Sequence, residues 1–222
     1  MNRVKCLIIA IFGLPFFFSG CSGQTQTLPF PLPEIETNWN RIHITDVGSI
    51  DVPPSLKFVD EYNLLEINDS LIYNGSRLSL EPIKSGNIEK DLERYARVII
   101  KTINGRANDY EKLNFNASSY SQSDITEVNN AFRQQTIPDL QKMGIEVVQW
   151  YPIKLEKING MTTIHINYKY KQHDAVFIMH DYYFQNYDRM HSLSIAYAID
   201  EETFWKPDLD KVIDNFRITN IK

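Results

Sequence analysis

Two histidines and two carboxylates crowd one short stretch of this 222-residue chain: His180, Asp181, Asp188 and His191. Imidazoles with a carboxylate form the ligand set of metal-assisted hydrolases, in which the ion carries and activates a water. Strand register decides whether these four groups can meet. If Ile178 pairs with Leu193, a tight turn falls at Gln185-Asn186 and His180 lies opposite His191. Asp181 and Asp188 then face the other way, because strand side chains alternate. A metal on His180 and His191 would need a carboxylate from elsewhere, and neither His-x-x-x-His nor His-Glu-x-x-His spacing is present. The plainer reading is a polar pair where core meets solvent, with no catalytic residue, no metal and no other cofactor expected.

Other chemistry finds less support. No Gly-x-Ser-x-Gly elbow occurs, and the serine-rich tract at 118–123 reads as a polar loop entering a helix. Gly48, Gly75, Gly86, Gly105, Gly144 and Gly160 stand singly, as turns require, rather than clustered as a phosphate cradle would be. Glu201-Glu202 and Asp60-Glu61 read as solvated loops or helix starts rather than a glycosidase pair. Trp150, Tyr168, Tyr170, Tyr182, Tyr183 and Tyr187 form an aromatic excess suited either to core packing or to a contact surface. Asp69-Ser70-Leu71 is similar to the Asp-Ser/Thr-aliphatic acceptor of some periplasmic O-glycosylation systems.

The first residues bear on compartment. Arg3 and Lys5 precede an apolar run at 6–18, which contains Pro15 and is followed by Ser19-Gly20-Cys21. A charged start, a short apolar core and small residues before a cut site describe a secretory signal. Thirteen residues fall short of the roughly 20 needed to span a bilayer. The ending Phe18-Ser19-Gly20-Cys21 resembles the lipobox of bacterial lipoproteins, with Phe18 where leucine is usual. That resemblance implies cleavage after Gly20 and lipid on Cys21, and several acyl chains make a stable anchor. Ser22 stands where an aspartate would mark inner-membrane retention in enterobacterial sorting, so the outer membrane is expected.

Three segments follow: a signal at 1–20, the lipidated Cys21 with a Pro-rich tether to residue 40, and one domain at 41–222. Pro29, Pro31 and Pro33 favour an extended tether that could reach roughly 50 Å. Removing Arg3 and Lys5 from the 23 basic residues leaves 21 against 28 acidic, a mature net charge of −7. That balance offers no basic stripe, so no nucleic-acid partner is expected. Cys6 leaves with the signal and Cys21 is committed to lipid, so the domain holds no disulfide, thiolate site or cysteine nucleophile.

Alternating apolar and polar residues over 144–200 predict a four-stranded antiparallel meander. Asn159-Gly160 signals its first hairpin, setting Ile158 opposite Met161, Leu155 opposite Ile164, Ile153 opposite Ile166 and Tyr151 opposite Tyr168 on one face. After a turn near 171–174, Val176, Ile178, His180 and Tyr182 continue that face, joined by Leu193, Ile195, Tyr197 and Ile199. Ser123 caps a predicted helix carrying Ile125, Val128, Phe132, Leu140 and Met143, kinked or split near Thr136 by Pro138. Leu209, Val212, Ile213 and Phe216 predict a second helix after Pro207. Short strands are expected at 41–46, 49–52 and 96–103, and a hairpin at Asn74-Gly75. Two helices on an antiparallel sheet make an α+β sandwich.

This order resembles the PsbP-like fold, an α/β/α sandwich of photosystem accessory proteins and bacterial envelope lipoproteins. The similarity lies in Gly48-Ser49-Ile50-Asp51-Val52-Pro53, in Ile158-Asn159-Gly160-Met161 and in the closing helix and strand at 204–218. It implies a non-enzymatic binding or assembly module for a protein or envelope component. A metal-assisted hydrolase using His180 and His191, or a glycan-binding lipoprotein, are the alternatives.

Overall fold

The structure is a computed structural model that describes residues 38–68, 71–84, 94–113 and 120–219. The signal, Cys21, the tether to residue 37 and Asp69-Ser70 lie outside the described residues.

Eleven strands and two helices are described. A small antiparallel sheet joins β1 (Asn40–Ile44), β2 (Gly48–Val52) and β11 (Arg217–Ile218) in the order β1-β2-β11. The large sheet contains β3 (Leu56–Asn68), β4 (Leu71–Pro82), β5 (Ala96–Asn104), β6 (Glu146–Trp150), β7 (Lys154–Ile158), β8 (Met161–Gln172), β9 (Ala175–Asn186) and β10 (Arg189–Ala198). Its order is β3-β4-β5-β10-β9-β8-β6, with β7 also pairing β8. Helix α1 spans Gln122–Lys142, and α2 spans Glu202–Asn215.

The expected four-stranded meander is therefore part of an eight-stranded sheet. Asn74-Gly75 is no hairpin; both residues lie inside β4, which pairs along its length with β3. Asn159-Gly160 does turn the chain, both residues having positive φ, as a tight two-residue turn requires. The Asn159 side chain also donates to the Phe216 carbonyl, tying this hairpin to the end of α2.

Both faces of the large sheet are covered, and this explains where the one-face reading fails. One face packs Leu78, Leu80, Ile100, Leu193, Ile195 and Tyr197 against the small sheet and Trp205, Leu209, Val212 and Phe216. The opposite face packs Ile164, Ile166, Tyr168, Tyr170 and Phe177 against Val128 and Phe132 of α1. Ile158 and Met161 belong to the α2 face, whereas Leu155 and Ile164 belong to the α1 face. With apolar residues on both faces, alternation no longer singles out one register.

The turn at His173-Asp174 sets Gln172 opposite Ala175, so Ile178, His180 and Tyr182 go to the face opposite Ile166. Irregularities near Trp150 shift the first strand too, and Tyr168 pairs with Trp150 rather than Tyr151. Leu193 pairs with Tyr182, not Ile178, and the last hairpin turns at Tyr187-Asp188, two residues beyond the expected position.

Helix α1 begins at Ser121, not Ser123. The Ser121 hydroxyl accepts from the Asp124 amide, and Asp124 accepts from the Ser121 amide at 2.8 Å, a reciprocal capping box. Pro138 removes one amide, yet the helix runs through it unbroken to Lys142. Ser121→Ala is expected to cost about 1 kcal/mol, read as a lowered urea midpoint with an unchanged slope. A midpoint equal to the parent's would show that the cap is idle.

Gly48 joins the two ends of the small sheet. A Cβ there would lie 1.9 Å from the Arg217 carbonyl oxygen, so β11 can close only over a glycine.

Candidate functional site

His180 and His191 occupy the same sheet face but do not meet. His180 pairs with Ile195 and His191 with Phe184. Phe184 lies four residues from His180 along β9, roughly 13 Å at strand rise. The expected His180–His191 pair depended on a turn two residues too early.

His191 is a core residue with no exposed surface. Its Nδ1 lies 2.9 Å from the Thr102 hydroxyl, while its Nε2 is buried without a hydrogen-bond partner. Burial, reinforced by Arg189, pulls its pKa down to about 3, against a smaller opposing pull from Asp188. It is neutral at neutral pH. Asp188 sits in the neighbouring turn and pairs with Arg189 at 2.9 Å. Asp181 points to the α1 face beside Ser194, and burial lifts its carboxyl to about 6 despite the Ser194 hydrogen bond.

What the fold does assemble is a different group, Glu156, His165 and His180, drawn from β7, β8 and β9. Glu156 pairs with Thr163, and His165 pairs with Lys154, so the carboxylate and imidazole are diagonal neighbours on the α2 face. His165 in turn pairs with Tyr182, and Asn167 with His180, which makes the two histidines diagonal neighbours as well. Glu156 Oε1 lies 3.0 Å from His165 Nδ1, and His165 Nε2 lies 3.0 Å from His180 Nδ1.

An ionised glutamate only accepts hydrogen bonds, so the proton on His165 is at Nδ1. His165 Nε2 then presents a lone pair toward His180. Desolvation lowers the pKa of His165 more than Glu156 raises it, so the imidazole is neutral and the contact is a hydrogen bond rather than an ion pair. Burial also lowers His180, to about 4, with His165 and Lys206 adding and Asp210 opposing.

Aromatic rings hold this row in place. His165 stacks on Tyr182 with centroids 4.3 Å apart and planes at 17°, and His180 lies 6.3 Å from Tyr197 with planes at 16°. Among the described residues, no group of three or more His, Cys, Asp or Glu side chains is placed to hold a metal ion.

The rest of the aromatic excess is largely packing. Trp150 stacks on Tyr168 at 5.4 Å and 6°, and its indole donates to Asn129 of α1 at 3.0 Å. Phe132 of α1 meets Tyr183, and Tyr170 stacks on Phe177. Tyr187 is exposed beside Lys112, whose ammonium lies 4.9 Å from the ring centroid.

One feature of the sheet stands apart from these groups. β3 pairs only with β4 among the described residues, so its other edge lies at the sheet margin. The register between them slips at Phe58/Asp60. Phe58 and Val59 are each 51% exposed there, and Ile83, just past β4, is 65% exposed. The sequence at 57–60 gave no hint of this strand, because a bulge breaks the alternation that announces one. No described helix is long and apolar enough to cross a membrane.

No protein-family model matches the chain, and no curated protein matches it. Several solved structures are similar. Cyanobacterial PsbP (CyanoP) from Synechocystis sp. PCC 6803 is 14% identical, with 90% of this chain and 98% of that chain covered and a TM-score of 0.45. A protein of unknown function from Pseudomonas aeruginosa is 8% identical, with 81% and 96% covered and a TM-score of 0.40. A protein from Bacteroides thetaiotaomicron VPI-5482 is also 8% identical, with 77% of this chain covered and a TM-score of 0.41. The chain spans 44% of the length of that last protein.

Proposed function

We propose that this chain is an exported lipoprotein, held at the envelope membrane through lipid on Cys21, whose PsbP-like domain is a non-enzymatic binding or assembly module. Its partner is a protein that adds an extended segment to the outer edge of β3. The observation that carries this reading is that edge: a strand of 13 residues, paired on one side among the described residues, with exposed Phe58 and Val59 on it. Edge strands are usually blunted against pairing, and an edge that instead displays apolar side chains is a template for an incoming strand. In such complexes main-chain hydrogen bonds supply affinity and side-chain contacts supply choice of partner. Lipid anchoring is supported by the charged start, the short apolar run and Ser19-Gly20-Cys21.

The test uses the tagged full chain with Cys21 intact, solubilised from membranes in mild detergent. A co-purifying protein is expected with the parent and lost from the Phe58→Lys/Val59→Lys variant. Both positions are exposed, so this variant should keep the parent's stability within about 0.5 kcal/mol. Equal recovery of the same partner by both proteins would remove β3 from the interface.

A further inference from the structure

We infer that His165 and His180 form a two-imidazole chelate for an imidazole-seeking divalent cation such as zinc or copper, with Glu156 as the group that orients it. His165 Nε2 and His180 Nδ1 face one another at 3.0 Å, on neighbouring strands of a rigid sheet. A tetrahedral ion bound at about 2.0–2.1 Å to both nitrogens needs them roughly 3.3 Å apart. Opening the pair by a few tenths of an ångström, with each ring turning within its own plane so that the two lone pairs converge beside the line between the nitrogens, makes room for it.

The supporting shell is already built. Glu156 holds the far nitrogen of His165, at 3.0 Å. A carboxylate behind a metal-bound histidine fixes its tautomer and raises its basicity, leaving the near nitrogen free to bind. His180 forms its one hydrogen bond to a described side chain with His165, so it can shift its proton from Nδ1 to Nε2 and turn that lone pair inward. The Tyr182 and Tyr197 rings fix both planes, which lowers the entropy lost on binding.

His165 is buried and His180 half-buried, which leaves water to complete the coordination from the His180 side. The charges around the pair are Lys154, the cross-strand partner of His165, and Lys206 and Asp210 of α2; the last two pair with each other at 2.6 Å, so Lys154 is the charge a bound cation has to offset.

The test is titration of the chelator-stripped full chain, in detergent, with zinc alone and with copper alone. Calorimetry is expected to show one ion per chain, and the copper spectrum two equivalent nitrogen ligands by electron paramagnetic resonance. Glu156→Gln should weaken binding roughly 10–100-fold while leaving the stoichiometry at one. His180→Gln, on a half-exposed edge of the cluster, should abolish it. A chain carrying His43→Ala and His173→Ala, both exposed positions, should bind like the parent. The inference is overturned if the parent takes up no ion. It is equally overturned if uptake survives His180→Gln or disappears with His43 and His173, because the ion then sits elsewhere.

Discussion

Acidification from pH 7 to pH 4.5 is expected to destabilise the domain by several kcal/mol, most of it lost above pH 5, before ordinary carboxylates titrate appreciably. Three histidines are responsible. Burial lowers His165, His180 and His191 below the ordinary value of 6.5, to about 4 for His180 and about 3 for His191. A group with a depressed folded pKa binds fewer protons when folded than when unfolded. For these histidines the stabilisation is complete above about 6.5 and is lost as pH falls from there toward their folded values. Asp181 acts in the opposite sense. Its folded value is raised to about 6, so below that pH the folded form holds the extra proton and recovers stability. Three histidines against one carboxyl leave one to two net protons taken up on unfolding near pH 5. That corresponds to about 2 kcal/mol per pH unit, a large share of the 5–15 kcal/mol typical of a domain. Urea midpoints at pH 7.5, 6, 5 and 4.5 measure the slope, and His191→Gln should flatten it. A midpoint that holds steady down to pH 4.5 would contradict the burial assigned to these rings.

The second large effect lies in the small sheet. Arg41 and Asp51 are direct partners across β1 and β2 and form a bidentate pair, Nε to Oδ1 at 2.6 Å and Nη2 to Oδ2 at 2.8 Å. Asp51 is buried and Arg41 nearly so. Removing only the arginine leaves the buried Asp51 carboxylate with the less direct Arg217 as its positive neighbour, and breaking one side of a buried pair typically costs about 3–5 kcal/mol, here toward the lower end. Arg41→Met is therefore expected to lower stability by about that amount in equilibrium unfolding. Arg41→Met/Asp51→Leu removes the buried charge as well and should recover much of the loss. A double variant less stable than Arg41→Met would mean that the pair itself, and not the orphaned charge, supplies the stability.

The sequence's legibility follows from how many faces each element buries. β5 is legible because Val98, Ile99, Ile100, Thr102 and Ile103 make it dense in β-branched residues, and the body of α2 because its apolar stripe at Leu209, Val212 and Phe216 faces a single core; its start is not, since the helix begins at Glu202 and runs through Pro207 rather than after it. Asn159-Gly160 was readable because few residue pairs tolerate positive φ twice in succession. The long strands β8 to β10 were located correctly but given the wrong faces. Ile164 and Ile166 face α1 while Leu193 and Ile195 face α2, so an apolar set exists for either register. His165 was passed over for the same reason. It stands among the polar Thr163, Asn167 and Lys169 on β8, and that side of the strand faces α2. Had the turn at His173-Asp174 been placed to the residue, His165 and His180 would have emerged as diagonal neighbours. β3 left no trace, since its bulge at Phe58/Asp60 interrupts the alternation.

Whether Cys21 carries lipid can be read directly from the mass of the protein isolated from the cells that make it. The expected result is a chain that starts at Cys21 and is heavier than its residues by the acyl groups on that cysteine. A chain that still begins with Met1, or one with an unmodified thiol at position 21, would contradict it.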